Sequence, residues 1–193
     1  MVEYEELYII VKKRLSEKRF KHSEGVVKRA LEYSEIYGVD KEITRLVAIA
    51  HDIAKELTEE EFEKYINEYK IELDEIERKN ISLLHAKIGA YICKYEFGFS
   101  DDMVNAVKFH TTGRENMTIL EKIIYLADAT EENRDYNYSE YVELIKSNIN
   151  NGMFEVAKWV IKNLIEKNKM IHLDSIKCYN FYFQKIEQNP CQN

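Results

Sequence analysis

The chain has a single proline, Pro190, and only six glycines in 193 residues. With so few residues that interrupt regular structure, it reads as mostly helical. Cysteine is scarce as well. Cys93, Cys178 and Cys191 are odd in number and lack metal-ligand spacing, which argues against a disulfide framework and for a reducing, cytoplasmic compartment. No apolar run approaches the roughly 18 residues needed to cross a bilayer. The acidic opening, Met-Val-Glu-Tyr-Glu-Glu, has no signal-peptide pattern. A basic excess is missing too: the net charge is −7. That argues against general nucleic-acid or membrane-surface binding, but not against a small anion held by local cations.

What is present suffices for a core. Hydrophobic residues make up 45% and charged residues 33%, the balance of an ordinary soluble globular chain. One domain is expected over residues 1–187, with a disordered tail at 188–193. The periodicity predicts a first helix over residues 4–17 and a second that His22 opens and Gly38 stops. A third, capped by Asp40, carries His51 and Asp52 and ends near Lys55 to Leu57. Thr58-Glu59-Glu60-Glu61 is a capping box that starts the next helix, and Thr118 with Glu121 makes another. Residues 70–80 read as a loop or short helix. Further helices are expected at 81–97, 101–110, 139–150, 153–167 and 174–187, and no internal repeat stands out.

The chemistry centres on Leu46 to Leu57. An adjacent His51-Asp52 pair ends a run that is otherwise apolar, and Lys55 follows about one helical turn later. A histidine and a carboxylate forced together in such a run must be satisfied, because unpaired burial costs several kcal/mol. A divalent cation suits that pair; a core histidine bonded to its neighbour is the alternative. The pair is not isolated. His22, His51, His85 and His110 each fall at a helix start, a helix end or an apolar face. Their intervals are 29, 34 and 25 residues (51−22, 85−51, 110−85), which suits one ligand per helix in a converging bundle. Asp128 is a second carboxylate in an apolar run, at Leu-Ala-Asp-Ala. His172 is assigned to the surface. The 14 tyrosines and 8 phenylalanines could stack on bases, but most occupy apolar helix positions and read as core.

The order His22, then His51-Asp52, then a distant Asp128 resembles that of the HD-domain metal-dependent phosphohydrolases. The resemblance extends to the bacterial YqeK-like symmetrical bis(5'-nucleosyl)-tetraphosphatases. It rests on Lys21-His22-Ser23, Ala50 to Lys55, Leu84 to Ala90, His110-Thr111-Thr112-Gly113-Arg114 and Ala127 to Arg134. Similar proteins usually have Gly-Pro where this chain has Ala86-Lys87, and proline in place of Glu132. Neither departure touches a proposed ligand.

The resemblance implies an all-α HD-domain helical bundle with additional C-terminal helices. It assigns His22, His51, Asp52 and Asp128 to one metal and His85 and His110 to a second, with Asp52 bridging. Ligation by nitrogen and oxygen alone is compatible with two divalent metal ions, iron being the first choice and manganese or cobalt the alternatives. The implied reaction splits diadenosine tetraphosphate, or a related dinucleoside tetraphosphate, into two nucleoside diphosphates by attack of a metal-bound hydroxide. The leaving phosphate has a pKa on the order of 6 and departs without a strong general acid. Lys55, with Asp52, is the catalytic candidate, and Lys55, Thr111, Arg114 and Arg134 are the candidates to hold the polyphosphate. The rivals are another HD phosphohydrolase (a nucleotidase or phosphodiesterase) and a metal-stabilised nucleotide-binding sensor. A homodimer is compatible with the pattern and not required by it.

Overall fold

The computed structural model describes residues 1–134 and 138–188, with the backbone alone at 81 and 82. Among them are eleven helices and no strand, the all-α architecture expected. In chain order these are α1 Tyr4–Arg14, α2 Glu17–Tyr37, α3 Lys41–Ala50, α4 Glu59–Tyr69, α5 Glu75–Arg78 and α6 Ile81–Phe97. They continue with α7 Asp101–Lys108, α8 Ile119–Thr130, α9 Ser139–Ser147, α10 Ile149–Glu166 and α11 Leu173–Glu187.

The helix at the centre is α3. Asp40 caps it by accepting from the Ile43 amide at 2.9 Å. From Leu46 to Ala50 every side chain is buried, and a helix apolar on all sides belongs in the middle of a core. Helices α2, α8, α1 and α7 pack around it, and α6 packs on α7. One continuous apolar cluster runs from Leu7 to Tyr182.

Several boundaries differ from the sequence reading, each for a local reason. Helix α2 begins at Glu17, because the Ser16 side chain caps it by accepting from the Arg19 amide. His22 therefore lies inside the helix and does not open it. Helix α3 stops at Ala50, so His51 and Asp52 lie in the tight turns that follow it and not within a helix. There the amides of Ile53 and Lys55 reach back only three residues, to the carbonyls of Ala50 and Asp52. His110 likewise stands two residues beyond the end of α7.

The capping boxes at Thr58 and Thr118 both form, and residues 70–80 contain the short helix α5. The break between the next long helices falls at Asn148, whose side chain accepts from the amides of Asn150 and Asn151. Gly152, read as part of a gap, lies inside α10. A Cβ there would come within 2.4 Å of Ile145, so the glycine permits close approach of α9. His172 is no bare surface residue. Its Nδ1 accepts from the Asp174 amide at the start of α11, and its Nε2 donates to Asp74 at 2.7 Å. The tail expected at 188–193 lies, beyond Gln188, outside the described residues.

Helix α11 supports the loop that follows His110. Gly113 has φ +64°, and an added Cβ would meet Cys178 Sγ of α11 at 2.6 Å. The Met117 amide donates to the Tyr182 hydroxyl at 3.2 Å. Gly113→Ala should thus cost about 2–4 kcal/mol in urea unfolding, from a left-handed alanine plus local overpacking. Combining it with Cys178→Ala removes the collision but not the strained φ, so the double variant should lose less than the sum of the singles. Strict additivity would mean that the two residues do not collide.

Candidate metal centre

Five parts of the fold deliver six side chains to one point. His22 comes from α2, His51 and Asp52 from the turn after α3, His85 from α6, His110 from beyond α7, and Asp128 from the last turn of α8. His51, Asp52, His85 and His110 are at most 2% exposed, and His22 is 8% exposed. Four buried imidazoles and a buried carboxylate, with the half-buried Asp128 beside them, need partners that bring counter-charge or protons.

The backbone sets which nitrogen of each ring faces the centre. The last carbonyls of a helix have no partner within it. His51 Nδ1 donates to the Ala48 carbonyl and His110 Nδ1 to the Val107 carbonyl, both at 2.7 Å. Each ring thereby turns its Nε2 lone pair inward, the tautomer a metal ligand needs. His22 reaches the same state differently, with Nδ1 3.1 Å from Glu131 Oε1.

Asp52 stands between two pairs of histidines. Its Oδ2 lies 3.7 Å from His22 Nε2 and 3.5 Å from His51 Nε2. Its Oδ1 lies 3.0 Å from His85 Nε2 and 3.6 Å from His110 Nε2. Asp128 Oδ1 adds to the first side, 3.1 Å from His22 Nε2 and 3.9 Å from His51 Nε2. On the second side the Nε2 atoms of His85 and His110 are 3.2 Å apart. The ligand atoms of His22, His51 and Asp128 all lie within 4.8 Å of one another, as do those of His51, Asp52 and His110.

The donor set fits a divalent metal. His22 Nε2, His51 Nε2 and Asp52 Oδ1 are buried without a hydrogen-bond partner, and all three face the centre. A cation would satisfy them together. Charge tuning agrees. Burial alone would raise Asp52, but His51, His110 and His85 hold its carboxyl well below 3.8. Burial would also raise Asp128, where the Arg134 guanidinium, His22 and His51 prevail and keep it well below 3.8. Burial lowers His51, and it lowers His85 to about 4 with help from the Lys55 charge. For His22, burial is overcome by Asp128 and Glu131, which raise it above 6.5.

The candidate substrate contacts divide. Lys55, Thr111 and Arg134 line a cleft of about 340 Å³ over Asp52, His110 and Asp128. Lys55 Nζ is 3.1 Å from His85 Nε2 and 3.7 Å from Asp52 Oδ1. Arg134 donates to the Asp128 carbonyl through Nε at 3.0 Å, and also to the Asp128 carboxylate. The structure does not bring Arg114 into that cleft. Its guanidinium forks onto Glu121, with both bonds at 3.0 Å, and Glu121 is fully buried. A buried carboxylate seven residues on has claimed the arginine.

Two residues were missed. Arg19 donates to Asp52 Oδ2 at 3.0 Å. It stands three residues before His22, so the two share a helix face, and the Lys18-Arg19-Phe20-Lys21 run was the available signal. Glu131 is 2% exposed and holds His22, yet its sequence context is two adjacent glutamates with nothing to distinguish them.

The helical bundle and its histidine–aspartate centre define a metal-dependent hydrolase, and comparison with known proteins gives the family. Residues 19–133 match the HD domain family. A symmetrical bis(5'-nucleosyl)-tetraphosphatase from Halalkalibacterium halodurans is 39% identical, over 89% of this chain and 92% of the relative. One of the same description from Bacillus subtilis is 35% identical, over 92% and 96%. The crystal structure of a predicted HD superfamily hydrolase involved in NAD metabolism, from Clostridium acetobutylicum, is 33% identical with a TM-score of 0.90, covering 96% of this chain and 99% of that one. The chain belongs to the HD-domain family, and with it to the metal-dependent phosphohydrolases. No helix among the described residues is long and apolar enough to cross a membrane.

Three outcomes follow from the geometry. Arg114→Ala should destabilise the fold by about 2–3 kcal/mol, since it strips the partner from a buried carboxylate. Urea unfolding measures that loss; an unchanged stability with a raised KM would return Arg114 to the substrate. Glu131→Ala should weaken metal binding about 10- to 100-fold, because His22 loses the group that orients it. Glu131→Gln, whose amide oxygen can still accept from Nδ1, should recover part of that. Metal affinity should also fall as pH drops through the raised His22 pKa, because protonated imidazole cannot ligate. Competition with a chelator at several pH values reads both effects.

Proposed function

We propose that this protein splits diadenosine tetraphosphate, or closely related dinucleoside tetraphosphates, symmetrically into two nucleoside diphosphates. The observation that carries the reading is Asp52, which offers Oδ2 to His22 and His51 and Oδ1 to His85 and His110. A carboxylate placed in this way could serve two ions. His22, His51, Asp52 and Asp128 would hold one, and His85, His110 and Asp52 the other. Iron is the first choice for both, with manganese or cobalt as alternatives. When bound, two such ions supply Lewis-acid stabilisation of phosphoryl oxygens and acidify water.

The protein's own groups do the remaining work. Arg19, Lys55 and Arg134 border the cleft as cations, placed to take the phosphate charge that grows as the central bond breaks. Thr111 can donate its hydroxyl to a phosphate oxygen. His51 and His110, tied to helix carbonyls, stay fixed while the substrate reacts. The single-domain reading of residues 1–187 is supported by the one continuous core.

The reaction test is chromatography of the metal-loaded protein acting on diadenosine tetraphosphate, with NAD, mononucleotides and cyclic nucleotides alongside. ADP alone from diadenosine tetraphosphate is expected. Equal AMP and ATP would mean the outer bond is attacked, and preferred cleavage of another substrate would favour a nucleotidase or phosphodiesterase. Binding without turnover would leave a sensor. Metal analysis tests the centre: His85→Ala or His110→Ala should retain about one ion per chain with hydrolysis down by several orders of magnitude, and Asp52→Ala should lose both. One ion in the unmodified protein would end the two-metal reading.

A further inference from the structure

The surroundings of the centre are chemically lopsided. Arg19 and Arg134, which hold Asp52 and Asp128, line two different cavities. One, of about 520 Å³, continues past His22 to Lys18, Lys21 and Asn133, includes Glu56 and Glu131, and has no tyrosine, phenylalanine or tryptophan among its described lining residues. The other is the cleft of about 340 Å³ described above, and its far wall contains Tyr138, Trp159 and Asn163. The two halves of a dinucleotide spanning the centre would therefore meet different chemistry. Both sides offer cations, Lys18 and Lys21 on one and Lys55 and Lys167 on the other, but among the described residues only the second offers an indole.

Trp159 is not where the core needs it. The buried stripe of α10 is Ile149, Gly152, Met153, Val156 and Ala157, and no residue of the helix beyond Ala157 is fully buried. Trp159 lies past the end of that stripe, half-buried, at the point where α10 leaves the core to wall the cleft. Tyr138 packs against it edge-to-face, with centroids 5.7 Å apart at 81°, which fixes the indole plane. Asn163 follows one turn later on the same helix face and brings an amide that can both donate and accept.

Resting on the dinucleotide reading of the centre, we infer that Trp159 and Asn163 form a nucleobase subsite: the indole stacks on the base of one nucleotide half, and the other half is held through its phosphates in the basic cavity. Recognition of a symmetrical substrate would then be one-sided, with base identity read, among the described residues, at α10.

The chain has one tryptophan, so its fluorescence reports this subsite directly. The full metal-loaded protein is titrated with ADP and, separately, with inorganic pyrophosphate, which brings the phosphates without a base. ADP should quench the fluorescence saturably and pyrophosphate should not. By calorimetry, Trp159→Ala should weaken ADP about tenfold to a hundredfold, the loss of one base–aromatic stack, and leave pyrophosphate affinity unchanged. Trp159→Phe keeps an aromatic face and the packing, and it should retain most of the ADP affinity. Equal responses to ADP and pyrophosphate, or ADP affinity surviving Trp159→Ala, would overturn the subsite. The result is separable from the reaction. ADP quenching in a protein that yields AMP and ATP keeps the subsite and removes the symmetrical split, whereas ADP as sole product without quenching does the reverse.

Discussion

Asp52 carries a negative charge at 2% exposure, in the middle of an apolar bundle. Left alone, such a group would protonate or would cost the fold several kcal/mol. It does neither because two helices end where their histidines can face this carboxylate, and two more present histidines to it from within. Helix α3 stops one residue before His51, α7 stops two before His110, and both rings use carbonyls released by those helix ends. Arg19 and Lys55 add positive charge on either side. The helix termini thus solve two problems at once: their orphan carbonyls find donors, and the imidazoles acquire a fixed tautomer aimed at Asp52.

The same constraint explains the flanking residues. Asp128 and Glu131 bring two more carboxylates within reach of His22. Arg134 folds back on Asp128 by both carbonyl and carboxylate, so the end of α8 closes on itself. Where Arg19 and Arg134 hold the ligand carboxylates, they also border the space a polyphosphate would enter. One pair of guanidinium groups can therefore orient the ligands and attract the substrate.

The candidate ligands were legible as a cluster in the sequence because each is polar where periodicity demands an apolar side chain. His51-Asp52 interrupts a run whose neighbours are buried, Asp128 follows one that is buried from Ile123 to Ala127, and a polar residue so placed needs a reason. The capping boxes at Thr58 and Thr118 were equally legible, being local chemistry over four residues. The end of α3 was not. Ile53 and Ala54 are as buried as the helix before them, so the apolar rhythm continues through a turn that only the backbone reveals. Arg114 shows the converse limit: adjacency to His110 in a loop suggested the substrate, while the partner it has in the structure, Glu121, doubles as the third residue of a capping box. Arg19 and Glu131 escaped because charged runs do not announce which member turns inward.

The division between family and chain runs along the sequence. All six candidate metal ligands fall within residues 19–133, the part that matches the HD family. Trp159 and Asn163 of the cleft wall come from α10, Lys167 from its C-cap, and Cys178 and Tyr182 behind the Gly113 loop from α11, all beyond it. Of the candidate ligands, His51 and His110 are tied to helix ends in the core, where a shift of one residue would strand a buried charge. The second half of α10 carries no such obligation, since its side chains past Ala157 are only partly buried. Substitutions there can reshape the cleft without disturbing Asp52. Physical constraint therefore concentrates on the reacting centre, and the freedom to change what is recognised lies in the appended helices.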